Sequence, residues 1–259
     1  MNLFSRVNGD GKNALIILPG LLGSSANWQS IAKRMGQRRS VYTLDMRNHG
    51  QSPWSDRMNY DAMADDVVEF IESLDHASIC LLGHSMGGKV AMRLALKAPH
   101  HIDTLIAADI APVAYKHDFD DLIKPMLELD LPAFNNRADV DAALNLSVPD
   151  PHIRAFLLHN MSYDKDSGAY IWRPNLEVLI KSMPVITDFQ LADTELFNKP
   201  ALFIHGANSE YVTISNKTII TQHFTQVTFV KLENAGHWLH AEQPAAFIES
   251  CEAFLSHDY

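Results

Sequence analysis

The chain has 259 residues, with 21 Lys or Arg against 31 Asp or Glu, which gives a formal net charge of -10. That length suffices for one large domain with its own core, so stability does not require an oligomer. The negative charge repels DNA and anionic membranes, and it argues against nucleic-acid binding. The sequence has no secretory signal pattern and no apolar segment long enough to span a bilayer, so we expect a cytoplasmic protein without membrane insertion.

Short apolar runs rich in β-branched residues alternate with segments of helical periodicity. This alternation predicts an α/β fold with a mostly parallel central sheet and helices on both faces. The predicted strands are 14–18, 41–45, 79–83, 104–109, 201–205 and 227–232. The predicted helices are 60–74, 86–98 and 244–255.

The segment 112–196 interrupts this alternation. It is far longer than the roughly 2 to 6 residues of a typical loop in an α/β unit. Its prolines and apolar clusters predict short, broken helices. We therefore expect a core formed by 1–111 and 197–259, with 112–196 inserted into it as a helical subdomain.

A candidate nucleophile lies between a predicted strand and a predicted helix. Residues 83–87 there have the sequence G-H-S-M-G, a G-x-S-x-G motif in the context that supports it. Such a turn exposes the serine above the sheet in strained backbone geometry, and the flanking glycines avoid collisions. This pattern predicts Ser85 as the nucleophile. The free N–H of Met86, in the first helical turn, could stabilise an oxyanion.

A candidate general base follows the last predicted strand. His237 lies on a loop from which an imidazole can reach a serine at the same sheet edge, and it comes after Ser85 in the chain, in the order Ser then His. His240 lies three residues later, which leaves a metal pair as an alternative. No third ligand pattern such as H-E-x-x-H accompanies the pair, so we expect no metal.

Four segments distributed along the chain carry a family resemblance. They are Asp45-Met46-Arg47-Asn48-His49-Gly50, Gly83-His84-Ser85-Met86-Gly87-Gly88-Lys89, Asp109-Ile110-Ala111-Pro112-Val113 and Asn208-Ser209-Glu210-Tyr211-Val212. Together they resemble the α/β-hydrolase superfamily, and more narrowly the bacterial YbfF-type esterases. The resemblance covers nearly the whole chain and is weakest in 112–196. It implies a cap over the active site, no cofactor, and hydrolysis of short acyl esters and acyl-CoA thioesters.

Two loops are interpreted through the same resemblance. Residues 18–25 are similar to the H-G-x-x-G-S loop of the superfamily, with Pro19 where His is usual. The match implies that the backbone N–H of Leu21 is the second oxyanion donor. Residues 45–52 resemble a D-x-R-G-x-G-x-S segment, in which we expect Arg47 to tie this loop to the loop near the nucleophile.

Two residues are candidates for the carboxylate that orients the base. In most of the superfamily the acid lies three residues after the glycine that ends the penultimate strand, but this count from Gly206 reaches Ser209, which carries no charge. Glu210 is its neighbour. Asp109 ends an earlier strand from which some relatives, including the YbfF type, draw their acid. Because parallel strands end at one sheet edge, Asp109 is the favoured prediction and Glu210 the alternative.

These observations predict a carboxylic ester hydrolase that acts on a small-molecule ester or thioester by acyl transfer to Ser85. Arg173, in 112–196, is the cation that we expect to contact a carboxylate or phosphate of the substrate. Two alternatives stay open. The same triad and cap could serve a carbon–carbon bond hydrolase or lyase, and the fold could serve as a non-enzymatic ligand receptor.

Overall fold

Seven strands form the central sheet of the computed structural model, which describes residues 1–116 and 119–256. In chain order, the strands of these residues are β1 (Ser5–Asn8), β2 (Asn13–Leu18), β3 (Ser40–Leu44), β4 (Ser78–His84), β5 (Thr104–Ala108), β6 (Met161–Asp164), β7 (Ala169–Trp172), β8 (Phe197–Gly206) and β9 (Phe224–Leu232). The sheet order is β1-β3-β2-β4-β5-β8-β9. The pair β1 and β3 is antiparallel, whereas the other sheet pairs are parallel.

Helices cover both faces of this sheet. Those of the described residues are α1 (Gln29–Met35), α2 (Tyr60–Glu72), α3 (Met86–Lys97), α4 (Asp120–Glu128), α5 (Arg137–Leu144), α6 (Pro151–Leu158), α7 (Leu176–Lys181), α8 (Met183–Thr187), α9 (Ile214–His223), α10 (Leu239–Glu242) and α11 (Pro244–Leu255). The predicted α/β fold with a mostly parallel sheet is therefore confirmed. The three predicted helices correspond to α2, α3 and α11, within two residues at each end.

The core has two layers because successive side chains of a strand point to opposite faces. Ile16 packs in the layer under α2 and α3, whereas the next residue, Ile17, packs in the layer under α1 and α11. Both side chains are fully buried. The continuous apolar runs of the sequence follow from this burial on both faces.

Two short elements were not predicted from the sequence. Strand β1, with the pattern S-R-V-N, is an edge strand with two exposed residues, so it lacks a strong hydrophobic signal. In the inserted segment, β6 and β7 form an antiparallel hairpin rather than part of a broken helix. Both of these strands are only partly buried, which removes the alternation that predicts a strand.

The inserted segment contributes α4 to α8 and the hairpin between β5 and β8. Part of it packs on the main core through Ile123, Met126, Leu157 and Leu179. It also has a small apolar cluster of its own, formed by Leu131, Val140, Leu144 and Leu158.

None of the helices within 1–116 and 119–256 has the length and apolar character needed to cross a membrane.

Candidate active site

The turn between β4 and α3 holds Ser85 in a strained backbone conformation, with φ of 53°. A Cβ atom at Gly83 would overlap the carbonyl oxygen of Gly87, and one at Gly87 would overlap the carbonyl oxygen of Leu18. Only glycine therefore fits at these two positions. The strain directs the serine hydroxyl away from the sheet, toward the carboxyl edge where the neighbouring strands also end.

Three predicted residues meet at this edge of the sheet. His237 Nε2 lies 3.0 Å from Ser85 Oγ, and His237 Nδ1 lies 2.7 Å from Asp109 Oδ2. Both distances are those of hydrogen bonds. With a proton on Nδ1, the imidazole presents its unprotonated Nε2 to the serine hydroxyl, which is the geometry of a serine, base and acid triad.

Asp109 is fully buried and follows β5 with a positive φ of 51°. Its Oδ1 accepts a hydrogen bond from the Gly206 N–H, and its Oδ2 accepts a second from Ser209 Oγ at 2.5 Å. Ser209 therefore occupies the position where the acid is usually counted and donates to a carboxylate that comes from another strand. Glu210 is exposed, and among the described residues it forms no hydrogen bond with His237.

The predicted oxyanion donors lie on either side of Ser85. The Met86 N–H belongs to the first turn of α3, where it has no intrahelical acceptor. The loop that carries Leu21 lies close to the nucleophile, because a Cβ atom at Gly20 would be 3.2 Å from Ser85 Cβ. Leu21 and Ser85 line the same cavities. Two amides at these positions suit the charge that develops on a tetrahedral intermediate.

The loop of His237 is held by contacts that the sequence analysis did not identify. The Glu242 carboxylate accepts hydrogen bonds from the N–H groups of Gly236 at 2.6 Å and Trp238 at 3.1 Å, on either side of the base. The ring of Tyr211 stacks on the imidazole with centroids 4.1 Å apart. Glu242, two residues after His240, therefore stabilises the loop that carries the predicted base.

His84, next to the nucleophile, also contacts this loop. Its Nε2 lies 2.8 Å from the carbonyl oxygen of His237. Burial, together with the nearby His237, lowers the pKa of His84 to about 3, so that its ring is neutral at neutral pH. Because its partner is a carbonyl oxygen, Nε2 carries the proton and donates it. His240 is also buried and stacks on Trp28, with ring centroids 4.1 Å apart.

Ser85 lines two cavities. The first is bounded by the loop of Leu21 and by Phe156, Trp238 and His240, and it shares those last three residues with a groove of about 530 Å³. The second is a narrow space of about 20 Å³. Its lining includes Leu21, Tyr60, Ser85, Lys89, Tyr115 and Ile186.

Other predicted residues lie away from the triad. Arg173 is exposed and is absent from the lining of both cavities that touch Ser85, as described within 1–116 and 119–256. Asp45 accepts hydrogen bonds from the N–H groups of Ser25 and Gln51, so its carboxylate holds loops together. His49 is buried, and its Nδ1 lies 2.9 Å from the Arg47 carbonyl oxygen.

The prediction that Arg47 ties its loop to the loop near the nucleophile is wrong. Its guanidinium bonds Asp66 Oδ2 at 2.7 Å and the carbonyl oxygens of Arg57 and Ala62. These contacts tie the loop after β3 to α2, rather than to the nucleophile loop. The reason is that α2 brings the buried Asp66 within reach, and a buried arginine is stabilised most by a carboxylate partner.

Within 1–116 and 119–256, no group of three or more His, Cys, Asp or Glu side chains is arranged to hold a metal ion.

The chain is similar to several known proteins over most of its length. The family profile described as the alpha/beta hydrolase fold matches residues 13–244. The sn-1-specific diacylglycerol lipase ABHD11 of Xenopus tropicalis is 38% identical, over 93% of this chain and 77% of that protein. Esterase YbfF of Escherichia coli is 31% identical, over 96% of this chain and 95% of that protein. A solved structure of a marine microorganism esterase, 36% identical, superposes with a TM-score of 0.93 and covers 97% of this chain and 98% of its own.

The chain belongs to the α/β-hydrolase family. The predictions of that fold, of a resemblance to YbfF-type esterases and of a carboxylic ester hydrolase are confirmed by these matches. The individual roles of Ser85, His237 and Asp109, and the two oxyanion donors, stay predictions.

Proposed function

We propose that this protein hydrolyses carboxylic esters, and acyl-CoA thioesters, through an acyl-enzyme on Ser85. The observation that carries the proposal is the continuous set of hydrogen bonds from Ser85 Oγ to His237 and from His237 to the buried Asp109. A nucleophile, a base and an orienting acid in this order are the requirements for acyl transfer. The cytoplasmic location stays a prediction.

In the first half of the reaction, Ser85 Oγ attacks the acyl carbon while His237 Nε2 takes the hydroxyl proton. The negative charge of the intermediate lies on the former carbonyl oxygen, which receives hydrogen bonds from the N–H groups of Leu21 and Met86. The bond to the leaving oxygen or sulfur then breaks, and His237 gives its proton to the leaving group. An ester now joins the acyl group to Ser85.

In the second half, His237 takes a proton from one water molecule, and the resulting hydroxide attacks the acyl-enzyme. Collapse of the second intermediate breaks the bond to Ser85 Oγ, which recovers its proton from His237. The products are a carboxylic acid and an alcohol or thiol, at the cost of one water. Asp109 accepts the Nδ1 hydrogen bond throughout and stabilises the imidazolium that forms twice.

We further propose that residues 112–196 act as a cap over this site. Phe156, from α6 of the inserted segment, lines the first cavity, and Ile186, from α8, lines the second. Both of these apolar side chains lie beside Ser85, where they can contact an acyl chain and exclude water from it.

The test combines labelling, turnover and a nucleophile variant. A fluorophosphonate probe should label the purified protein, and a panel of p-nitrophenyl esters and acyl-CoA thioesters should be turned over. Ser85→Ala should lose both labelling and turnover, with kcat lower by about 10⁶ as in other serine hydrolases. The melting temperature of the variant should hardly change, because alanine at position 85 would adopt the same positive φ as serine, with the same backbone strain.

Ser73→Ala, an exposed serine at the end of α2, is the matched control and should behave like the parent. Full esterase activity in Ser85→Ala would overturn the nucleophile assignment. Labelling of the parent without turnover of any ester would favour a ligand receptor. Turnover of esters but not of thioesters would restrict the proposal to oxygen esters.

A further inference from the structure

A buried lysine lies one helical turn after the nucleophile. Lys89, in α3, has only 2% of its surface exposed, and its backbone N–H donates to the Ser85 carbonyl oxygen. Four residues of helix correspond to a rise of about 6 Å along the axis. Lys89 and Ser85 both line the narrow second cavity. Lys89 and the proposed nucleophile thus border the same small space.

The surroundings of this ammonium are polar and aromatic. Lys89 Nζ donates to the carbonyl oxygens of Thr187 at 2.9 Å and Asp188 at 3.0 Å. The rings of Tyr115 and Tyr60 lie 4.9 and 5.6 Å from Nζ, within the range of cation–π attraction. In the part of the chain that the structure describes, Lys89 has no ion pair with a carboxylate.

An ammonium has three N–H donors, and the two carbonyl oxygens account for two of them. A buried cation without an anionic partner carries a large desolvation cost, which a carboxylate at hydrogen-bond distance would offset. Burial lowers the pKa of Lys89 to about 7, and the charge of Asp188 opposes this only in part. The other titratable groups that face Lys89 are the Tyr60 and Tyr115 hydroxyls, both with pKa values raised by burial, so they stay neutral.

We propose that Lys89 is a specificity-determining residue that binds a carboxylate at the far end of the substrate's acyl chain. The inference rests on the proposed ester hydrolysis and names its substrate class, half-esters of short dicarboxylic acids. The leaving group then occupies the larger groove that joins the first cavity. The narrowness of the second cavity, which Ser85 and Lys89 both line, limits the chain to a few carbons between the two carbonyl groups.

The competing interpretation is purely structural. By bonding the carbonyl oxygens of Thr187 and Asp188, Lys89 fastens the end of α8 to α3 and so holds the inserted segment in place. Such a fastener would influence all substrates alike. A charge that binds the acyl carboxylate would instead distinguish an anionic ester from a neutral ester of the same shape, and it would do so only while Lys89 is protonated.

The test compares monomethyl succinate with methyl 4-methylpentanoate, in which an isopropyl group replaces the carboxylate. For the full-length parent, kcat/KM for both esters is measured by methanol release between pH 6.0 and 8.5. The ratio of the two values cancels the titration of the triad. A lysine with a pKa of about 7 is about 90% protonated at pH 6.0 and about 3% at pH 8.5. We expect the ratio to favour the half-ester at pH 6.0 and to fall about 30-fold by pH 8.5.

Lys89→Met keeps a side chain of similar length without the charge. It should abolish both the preference for the half-ester at pH 6.0 and the pH dependence of the ratio. Lys97→Met, which removes a half-exposed lysine from the last turn of the same helix, is the matched control and should keep the parental ratio at each pH.

The outcomes separate the inference from the proposed function. Turnover of the neutral ester with a parental ratio that does not change with pH would overturn the role of Lys89 but keep the esterase. Equal losses on both esters in Lys89→Met would identify a structural fastener. No turnover of either ester by the parent would overturn the esterase proposal and this inference together. If Lys89→Met fails to fold, the pH series of the parent alone decides.

Discussion

The carboxyl edge of the sheet and the inserted segment 112–196 obtain their conformations in different ways. At the sheet edge, the backbone itself is strained. Five non-glycine residues of the described chain have positive φ angles, and each follows a sheet strand at this edge. They are Leu22, Asn48, Ser85, Asp109 and Asn234. Two of them are the proposed nucleophile and the proposed acid.

In the described part of the inserted segment, positive φ is confined to Gly168, in the turn between β6 and β7. This segment depends on side-chain contacts instead. Arg154, buried in α6, donates to Asp141, Asn145 and the carbonyl oxygens of Val148 and Pro149. One guanidinium thus connects α5, α6 and the loop between them.

The difference has a physical consequence for the site. A non-glycine residue at positive φ costs on the order of 1 to 3 kcal/mol, and it persists only where the surrounding fold enforces it. The sheet therefore supplies the stability that holds Ser85 and Asp109 in position. The inserted segment shapes the cavities, but its described residues include none of these strained positions, so its perturbation should alter substrate binding before it alters the chemistry.

Among the changes that compare the sheet edge with the inserted segment, the largest expected effect comes from the acid at the sheet edge. Asp109→Asn should lower kcat by about 10⁴ with little change in KM, because an amide no longer fixes the productive tautomer of His237. Glu210→Gln, the matched change at the alternative acid, should remain within about threefold of the parent, since Glu210 is exposed and does not bond the base. Steady-state kinetics on p-nitrophenyl acetate measure both.

The reverse pattern, a large loss in Glu210→Gln and a small one in Asp109→Asn, would place the acid on the loop after β8. Such a result would also show that the strained backbone at Asp109 does not serve catalysis.

An intermediate effect is expected from the inserted segment. Arg154→Met should lower the free energy of unfolding by about 2 to 3 kcal/mol, because it leaves buried carbonyl oxygens without a donor. The Asp141 partner is 42% exposed, so loss of that ion pair adds little. Denaturant unfolding measures the change, and limited proteolysis should show faster cleavage within 112–196.

Arg137→Met removes an exposed arginine from α5 and is the control, with an expected change below about 0.5 kcal/mol. Fluorophosphonate labelling of Arg154→Met should continue at a rate similar to that of the parent. A loss of labelling as large as that of Asp109→Asn would show that the inserted segment also holds the triad in place, and that the sheet alone does not.

What the sequence predicted follows the same division. The G-x-S-x-G turn and the His237 loop are dictated by short segments of backbone, so local patterns predict Ser85 and His237. Asp109 was instead predicted from the family resemblance and from the common edge at which parallel strands end. Strands buried on both faces are also apparent from continuous apolar runs. Ser209 occupies the position, three residues after Gly206, where most of the superfamily has the acid. In the structure its Oγ donates a hydrogen bond to Asp109, the favoured acid from another strand.

The remaining features depend on contacts between distant segments. The hairpin of the inserted segment lacks an alternating pattern, and the partner of Arg47 comes from α2. Lys89 was visible in the motif at four residues after Ser85, and a lysine on a buried helix face is a signal that could have identified it. Its contacts with Thr187 and Asp188 are separated by about a hundred residues in the chain, which no local pattern encodes.

The smallest expected effect concerns Arg173. Its backbone is fixed on both sides, because its N–H donates to the Asn160 carbonyl oxygen and its own carbonyl oxygen accepts from Trp54, each at 2.9 Å. Its side chain is exposed, and in residues 1–116 and 119–256 it forms no ion pair. An exposed cation contributes weak, salt-screened attraction.

Arg173→Ala should therefore raise KM for an anionic acyl-CoA by about twofold to threefold, lose this effect at high salt, and leave neutral esters unchanged. Lys181→Ala removes an exposed cation already paired with Glu177 and should change neither KM. Equal effects of Arg173→Ala on acyl-CoA and on neutral esters would exclude Arg173 from substrate binding.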